Sequence, residues 1–183
     1  GHPGLQPAVV RLMQVLDDNW HDGYQARAGA AWALGKLGPF IDNRPHRDNV
    51  VNSLMDVLAY VDVDQYPLEH WEARANAAEA LGEMGDERAL PLLIKALDEP
   101  VWVDEITLHG YVDGATWRGE HVRRNPTRKN AVLAIGKLPP KVAVEPLVDV
   151  LWEEDRHLAV VAASALCAIG NTEAGVALKK FLD

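Results

Sequence analysis

The chain repeats itself. Residues 27–38 (RAGAAWALGKLG), 74–85 (RANAAEALGEMG), 128–139 (RKNAVLAIGKLP) and 162–170 (AASALCAIG) align without gaps on a run of small residues, then Leu or Ile, then Gly. An internal repeat limits the fold severely, because each unit buries its apolar face only by stacking on a neighbour of its own kind. Every copy reads as a helix whose small residues let another helix come close. A glycine inside a helix is disfavoured by ~1 kcal/mol against alanine. Its recurrence at Gly35, Gly82, Gly136 and Gly170 therefore predicts close backbone packing at that place. Gly38 and Gly85 suit helix C-caps, and Pro139-Pro140 ends the third copy.

A second kind of helix alternates with the first, over residues 7–18, 48–61, 86–99, 142–154 and 172–183. Leu90, Leu93, Ile94 and Leu97 recur at the spacing of one helix face, as do Val144, Leu147, Val148 and Leu151. Asp86 and Thr172 are expected N-caps. Connections of two or three residues at Gly85-Asp86 and Asn171-Thr172 make the joined helices antiparallel neighbours.

Residues 74–100 (RANAAEALGEMGDERALPLLIKALDEP) resemble the HEAT-like repeats of the phycobilisome-lyase type, and the other copies are weaker versions of the same pattern. The resemblance covers most of the chain and implies an all-α solenoid. We expect an α-α superhelix of the HEAT/armadillo kind, right-handed and curved, with about four helical hairpins and a terminal helix. It is read as one domain over residues 3–183, with Gly1-His2 set aside as a tag remnant. The resemblance also implies that Arg27, Arg74 and Arg128, at matching helix starts, pair with acidic residues of neighbouring repeats. Asp22, Glu72 and Glu120 precede them.

The spacing of the copies is uneven. Arg27 to Arg74 is 47 residues, Arg74 to Arg128 is 54, and Arg128 to Ala162 is 34. One insertion falls at residues 40–47, with an extended turn at 62–69. A larger one occupies 101–125 (VWVDEITLHGYVDGATWRGEHVRRN), between two helices that should form one hairpin. Its β-branched residues and Asp113-Gly114 predict a small β-hairpin. Insertions in a solenoid map to one face, which is often the binding face. Trp102, Tyr111, Trp117, Arg123 and Arg124 are therefore candidate contact residues.

One slot on the repeated helix is expected to face solvent. It holds Glu79 in the copy nearest consensus, and Trp32, Leu133 and Cys167 in the others. Three apolar residues in a solvent-facing slot predict an apolar strip along the concave wall, and such strips mark protein interfaces. The four residues join the list of partner-binding candidates. The alternative is that the insertions fold over them.

The charge balance restricts the partner. A net charge of −9 disfavours sequence-independent binding of nucleic acid. No apolar run approaches the ~20 residues that span a bilayer. Cys167 is the only cysteine, which rules out an internal disulfide or a cysteine-based zinc site and fits a reducing compartment. The expectation is thus a cytoplasmic protein-interaction scaffold, with no cofactor and no metal. Association through Phe181 and Leu182 of the terminal helix would make it a homo-oligomer.

The resemblance also implies two enzymatic alternatives. In the bilin lyase group, helical repeats form a chromophore cleft. Trp32, Trp71, Trp102, Tyr111 and Trp117 would stack on a tetrapyrrole here, and Arg123 or Arg124 would pair with its propionates. In the deoxyhypusine hydroxylase group, iron is held by His-Glu pairs at repeated helix starts. This chain has no His-Glu dipeptide, and Glu69-His70 and Glu120-His121 run in the reverse order. Glu105, His109 and Asp113 have ligand chemistry at four-residue spacing, but Thr107 and the nearby glycines argue against the helix they would need.

Overall fold

A computed structural model describes residues 5–17, 24–41, 44–60, 67–99, 102–103, 111–112, 115–116, 123–124 and 126–182. The helices are α1 (Leu5–Asp17), α2 (Tyr24–Leu37), α3 (Arg44–Ala59), α4 (Pro67–Met84), α5 (Leu90–Leu97), α6 (Pro126–Ile135), α7 (Pro140–Leu151), α8 (Arg156–Ile169) and α9 (Thr172–Leu182). Four short strands lie between α5 and α6: β1 (Trp102–Val103), β2 (Tyr111–Val112), β3 (Ala115–Thr116) and β4 (Arg123–Arg124).

The helices pair in chain order, α1 with α2, α3 with α4, α5 with α6 and α7 with α8, and α9 closes on α7 and α8. Helices α2, α4, α6 and α8 stack in succession as an inner layer, and α1, α3 and α5 form the outer one. This is the expected α-solenoid of four hairpins and a terminal helix. One apolar cluster runs without interruption from Val9 to Ala174.

Close packing in the inner layer follows from the repeated glycine. A methyl group in place of the Gly35 hydrogen would sit 2.7 Å from Ala80 Cα, and at Gly82 it would sit 2.5 Å from Ala134 Cα. Only a residue without Cβ allows helices to touch backbone to backbone in this way. The outer helices contribute larger Leu, Val and Met side chains to the same core.

The third contact of this series resets the register of the fourth repeat. Gly136 faces Ala165, with a Cβ contact of 2.7 Å. Ala80, Ala134 and Ala165 stand two residues before Gly82, Gly136 and Cys167 respectively. Cys167 therefore occupies the glycine column, three residues away from the slot that sequence alignment assigned to it. Gly170 is not a mid-helix glycine: it ends α8 at φ 63°, as Gly85 ends α4 at φ 64°. A left-handed cap of this kind favours glycine.

The helix ends follow their local chemistry. Asp86 accepts a bond from Arg88 N and starts the short 3-10 turn (Glu87–Ala89) that leads into α5. Asp155 caps α8 by accepting from His157 N at 2.9 Å and Leu158 N at 3.4 Å. The cap of α9 is Asn171, whose Oδ1 accepts from Ala174 N at 2.8 Å; Thr172, expected in that role, is already helical. On α5, Leu93 and Leu97 are buried with Ala89 and Ala96, while Ile94 is 39% exposed. The buried stripe is thus rotated away from the position the i, i+4 pattern gave to Ile94. Val144, Leu147 and Leu151 of α7 are in the core as expected, and Val148 packs at its margin.

Candidate functional site

The inner layer presents successive rows of side chains across its helices. One row runs Trp32 on α2, Glu79 on α4, Leu133 on α6 and, by the corrected register, Ser164 on α8. Trp32 is 52% exposed and Leu133 38%. The apolar strip expected from the sequence is therefore open to solvent at these two residues and broken between them by a carboxylate. Ser164 donates to Val160 O at 2.9 Å, which explains how a hydroxyl sits within α8. Cys167 is exposed one turn further along α8.

Below that row lies a line of charge. Lys36 Nζ donates to Glu79 Oε1 at 2.9 Å and to Glu83 Oε1 at 3.5 Å, and Lys137 Nζ donates to the same Glu83 oxygen at 2.8 Å. The hydrogen bond from Lys137 holds the Glu83 carboxyl below its usual range. The bond to Glu79 raises the Lys36 ammonium above its own. Above the Trp32 row, asparagines tie the layer together: Asn76 Nδ2 donates to Ala28 O at 3.0 Å, and Asn130 Nδ2 to Ala75 O at 2.9 Å.

The repeated arginines are structural. Arg74 is 5% exposed and Arg128 7%, so each needs a partner inside the protein. Arg74 donates to Leu58 O at 3.0 Å and to Glu99, and Arg128 donates to Glu153 at 2.6 Å. In both pairs the acid lies 25 residues downstream, at the end of the next outer helix. These two arginines thus pair with acids of a neighbouring repeat, as the resemblance implies, and the acids lie downstream of them. Arg27 lies 5.7 Å from the centre of the Tyr60 ring, a cation–π contact.

Between α5 and α6 the backbone forms two antiparallel ladders. Trp102 pairs with Arg124 and Val103 with Arg123; Tyr111 pairs with Thr116 and Val112 with Ala115. The inner ladder flanks Asp113-Gly114, where a hairpin was expected. The two ladders are offset by one residue, so they are not parts of a single regular ladder. Trp102 and Arg124, two of the candidate contact residues, are brought to opposite register positions. Trp117, Asp113-Gly114 and the Glu105, His109 and Asp113 set lie outside the described residues, as do Asp22 and Glu120.

A second exposed aromatic surface escaped the sequence reading. Trp152, just past α7, is 56% exposed. Its ring meets Phe181 edge-on at 5.6 Å, with Lys180 Nζ 6.0 Å from its centre. Phe181 is accordingly half-buried, whereas Leu182 is 81% exposed as expected. Val160 and Val176, each 64% exposed, lie on α8 and α9. Their single-residue exposure had no sequence signal, because it depends on which helix faces remain uncovered.

The PBS lyase HEAT-like repeat family matches residues 73–99, from α4 through α5. The phycocyanobilin lyase subunit alpha of Thermosynechococcus vestitus is 35% identical over 92 residues, which are 50% of this chain and 33% of that protein. The protein of the same name from Microchaete diplosiphon is 42% identical over 108 residues, covering 53% and 34%. The chain spans about a third of the length of the curated relatives it matches. Among solved structures, a designed armadillo repeat protein in complex with the peptide (KR)4 aligns over 96% of this chain and 70% of its own, with 20% identity and a TM-score of 0.48. No helix among the described residues is long and apolar enough to cross a membrane. With its glycine-spaced inner layer, the chain carries a HEAT-like repeat of the PBS lyase type over residues 73–99 and is similar over about half its length to phycocyanobilin lyase alpha subunits.

Proposed function

We propose that this chain is a repeat module that handles a bilin chromophore, acting with a protein partner. The observation that carries the reading is the likeness of half the chain to proteins named phycocyanobilin lyase subunit alpha. In this reading the bilin is cargo. Its conjugated plane stacks on Trp32 or on the aromatic residues Trp102, Tyr111 and Trp117, and Arg123 or Arg124 pairs with its propionates. The test is absorbance after mixing the chain with phycocyanobilin, followed by size exclusion. A red-shifted chromophore that travels with the protein, and is weakened by Trp32→Glu, supports the reading. Free bilin eluting apart from an unshifted protein overturns it.

A second reading follows from the inner layer by itself. Exposed Trp32 and Leu133, on the rungs either side of Glu79, suit a protein-binding scaffold in which Glu79, Cys167 and the insertion share the contact surface. We place such a scaffold in the cytoplasm, with self-association through the exposed terminal helices as one form of it. Native co-purification repeated with Trp32→Glu and Trp117→Ala separates the readings. Partners lost with both variants, in the absence of bilin binding, favour the scaffold.

A further inference from the structure

A stacked-repeat protein is held together by contacts between neighbours, so one side chain shared by two successive interfaces stands out. Glu83 is such a side chain. It projects from α4, and its Oε1 accepts from Lys36 of α2 on one side and from Lys137, just past α6, on the other. Helices α2 and α6 are separated by α4. Two ammonium groups from helices two repeats apart thus meet at a single oxygen atom. All three side chains are between 32% and 44% exposed, so the charges line the open wall and are not buried beneath it.

The outer layer is built differently. Arg88 reaches Asp48 at 2.7 Å and Lys141 reaches Glu87 at 3.1 Å, so the two successive outer contacts use separate carboxylates. On the inner side both contacts instead close on the single Glu83 oxygen. A force on one side of a stack of rods bends the stack toward that side. The hydrogen bond from Lys137 holds the Glu83 carboxyl below its usual range, so the link is charged at neutral pH.

We propose that Lys36, Glu83 and Lys137 form an ionic clasp that sets the curvature of the inner wall, and with it the separation of Trp32 and Leu133. The clasp is independent of what the wall binds. Opening it flattens the wall without unfolding any helix, since its members are half-solvated and the core beneath is untouched.

The test is a distance across the clasp. Spin labels at Gly29→Cys on α2 and Lys129→Cys on α6, in a Cys167→Ser background, report the α2–α6 separation by pulsed electron paramagnetic resonance. Gly29 has nothing within 4 Å of its Cβ position, and Lys129 is exposed, so both sites accept a label. Glu83→Gln should lengthen and broaden the distance distribution, and Glu83→Lys should lengthen it further. Lys141→Gln, which opens the outer pair, should leave it in place. Far-ultraviolet circular dichroism confirms that helix content is kept. Distributions that superimpose for the parent and Glu83→Gln overturn the proposal, as does an equal shift in Lys141→Gln.

Discussion

Gly82 of α4 lies against the backbone of Ala134 of α6, leaving no room for a side chain: an added Cβ would be 2.5 Å from Ala134 Cα. Neither backbone can retreat without dragging its whole helix. Gly82→Ala should therefore destabilise the protein by at least the ~1–3 kcal/mol typical of overpacking. Gly29 is the matched contrast, inside α2 with open space around it. Gly29→Ala should stabilise by about 0.5–1 kcal/mol, since alanine is the better helix former. Urea unfolding of the two variants checks both signs, and equal effects would contradict the close contact.

The buried arginines should matter far more than the exposed ones. Arg74 and Glu99 have side chains 6% and 16% exposed. Removing one partner of such a pair strands the other, at about 3–5 kcal/mol. Arg74→Ala should approach that loss. Arg88→Ala removes a side chain 48% exposed and should cost no more than about 1 kcal/mol after solvent screening. Thermal melts of the two variants rank them directly.

Acid should weaken the fold through identifiable carboxylates. Glu83 is held below its ordinary 4.5 chiefly by the hydrogen bond from Lys137, and Asp86 below its ordinary 3.8 chiefly by that from Arg88. A carboxyl with a depressed folded-state pKa contributes stability above its unfolded value, and that contribution disappears as pH falls through the folded value. The loss from these two groups should begin near pH 4.5 and deepen below it. In the Glu83→Gln, Asp86→Asn double variant the slope of unfolding free energy against pH should be shallower in that range and unchanged near neutrality.

Each asparagine clamp joins two inner helices through one hydrogen bond. Asn130→Ala frees the Ala75 carbonyl, and Asn76→Ala frees that of Ala28. A net loss of ~1 kcal/mol is expected for each. The two should be nearly additive, because they act at different helix interfaces. A double variant whose loss departs strongly from the sum would show that the interfaces are coupled.

Most of the architecture could be read from one dimension. The recurring small-residue helix, the amphipathic helix between copies and the short caps are all local signals, and they yielded the four hairpins, the terminal helix and the hairpin insertion around Asp113-Gly114. The fourth copy shows where local signals fail. Its stretch ALCAIG fits the pattern with either Leu166-Cys167 or Ile169-Gly170 in the Leu-Gly place. Only the contact of Gly136 with Ala165 distinguishes them, and it assigns Cys167 to the glycine column. The candidate wall was legible to the same extent. Trp32 and Leu133 were correctly read as exposed, whereas the exposure of Trp152 depends on how α9 lies against α7.

The sequence by itself determined that this chain forms stacked helix pairs, because helix periodicity and the recurrence of glycine among alanines are properties of neighbouring residues along the chain. Tertiary structure alone decided which charges meet. Arg74 finds Glu99, Arg128 finds Glu153, and Lys36 and Lys137 find one oxygen of Glu83. The physical reason is that a long, flexible ionic side chain has many carboxylates within reach, and only the spacing and tilt of packed helices select among them.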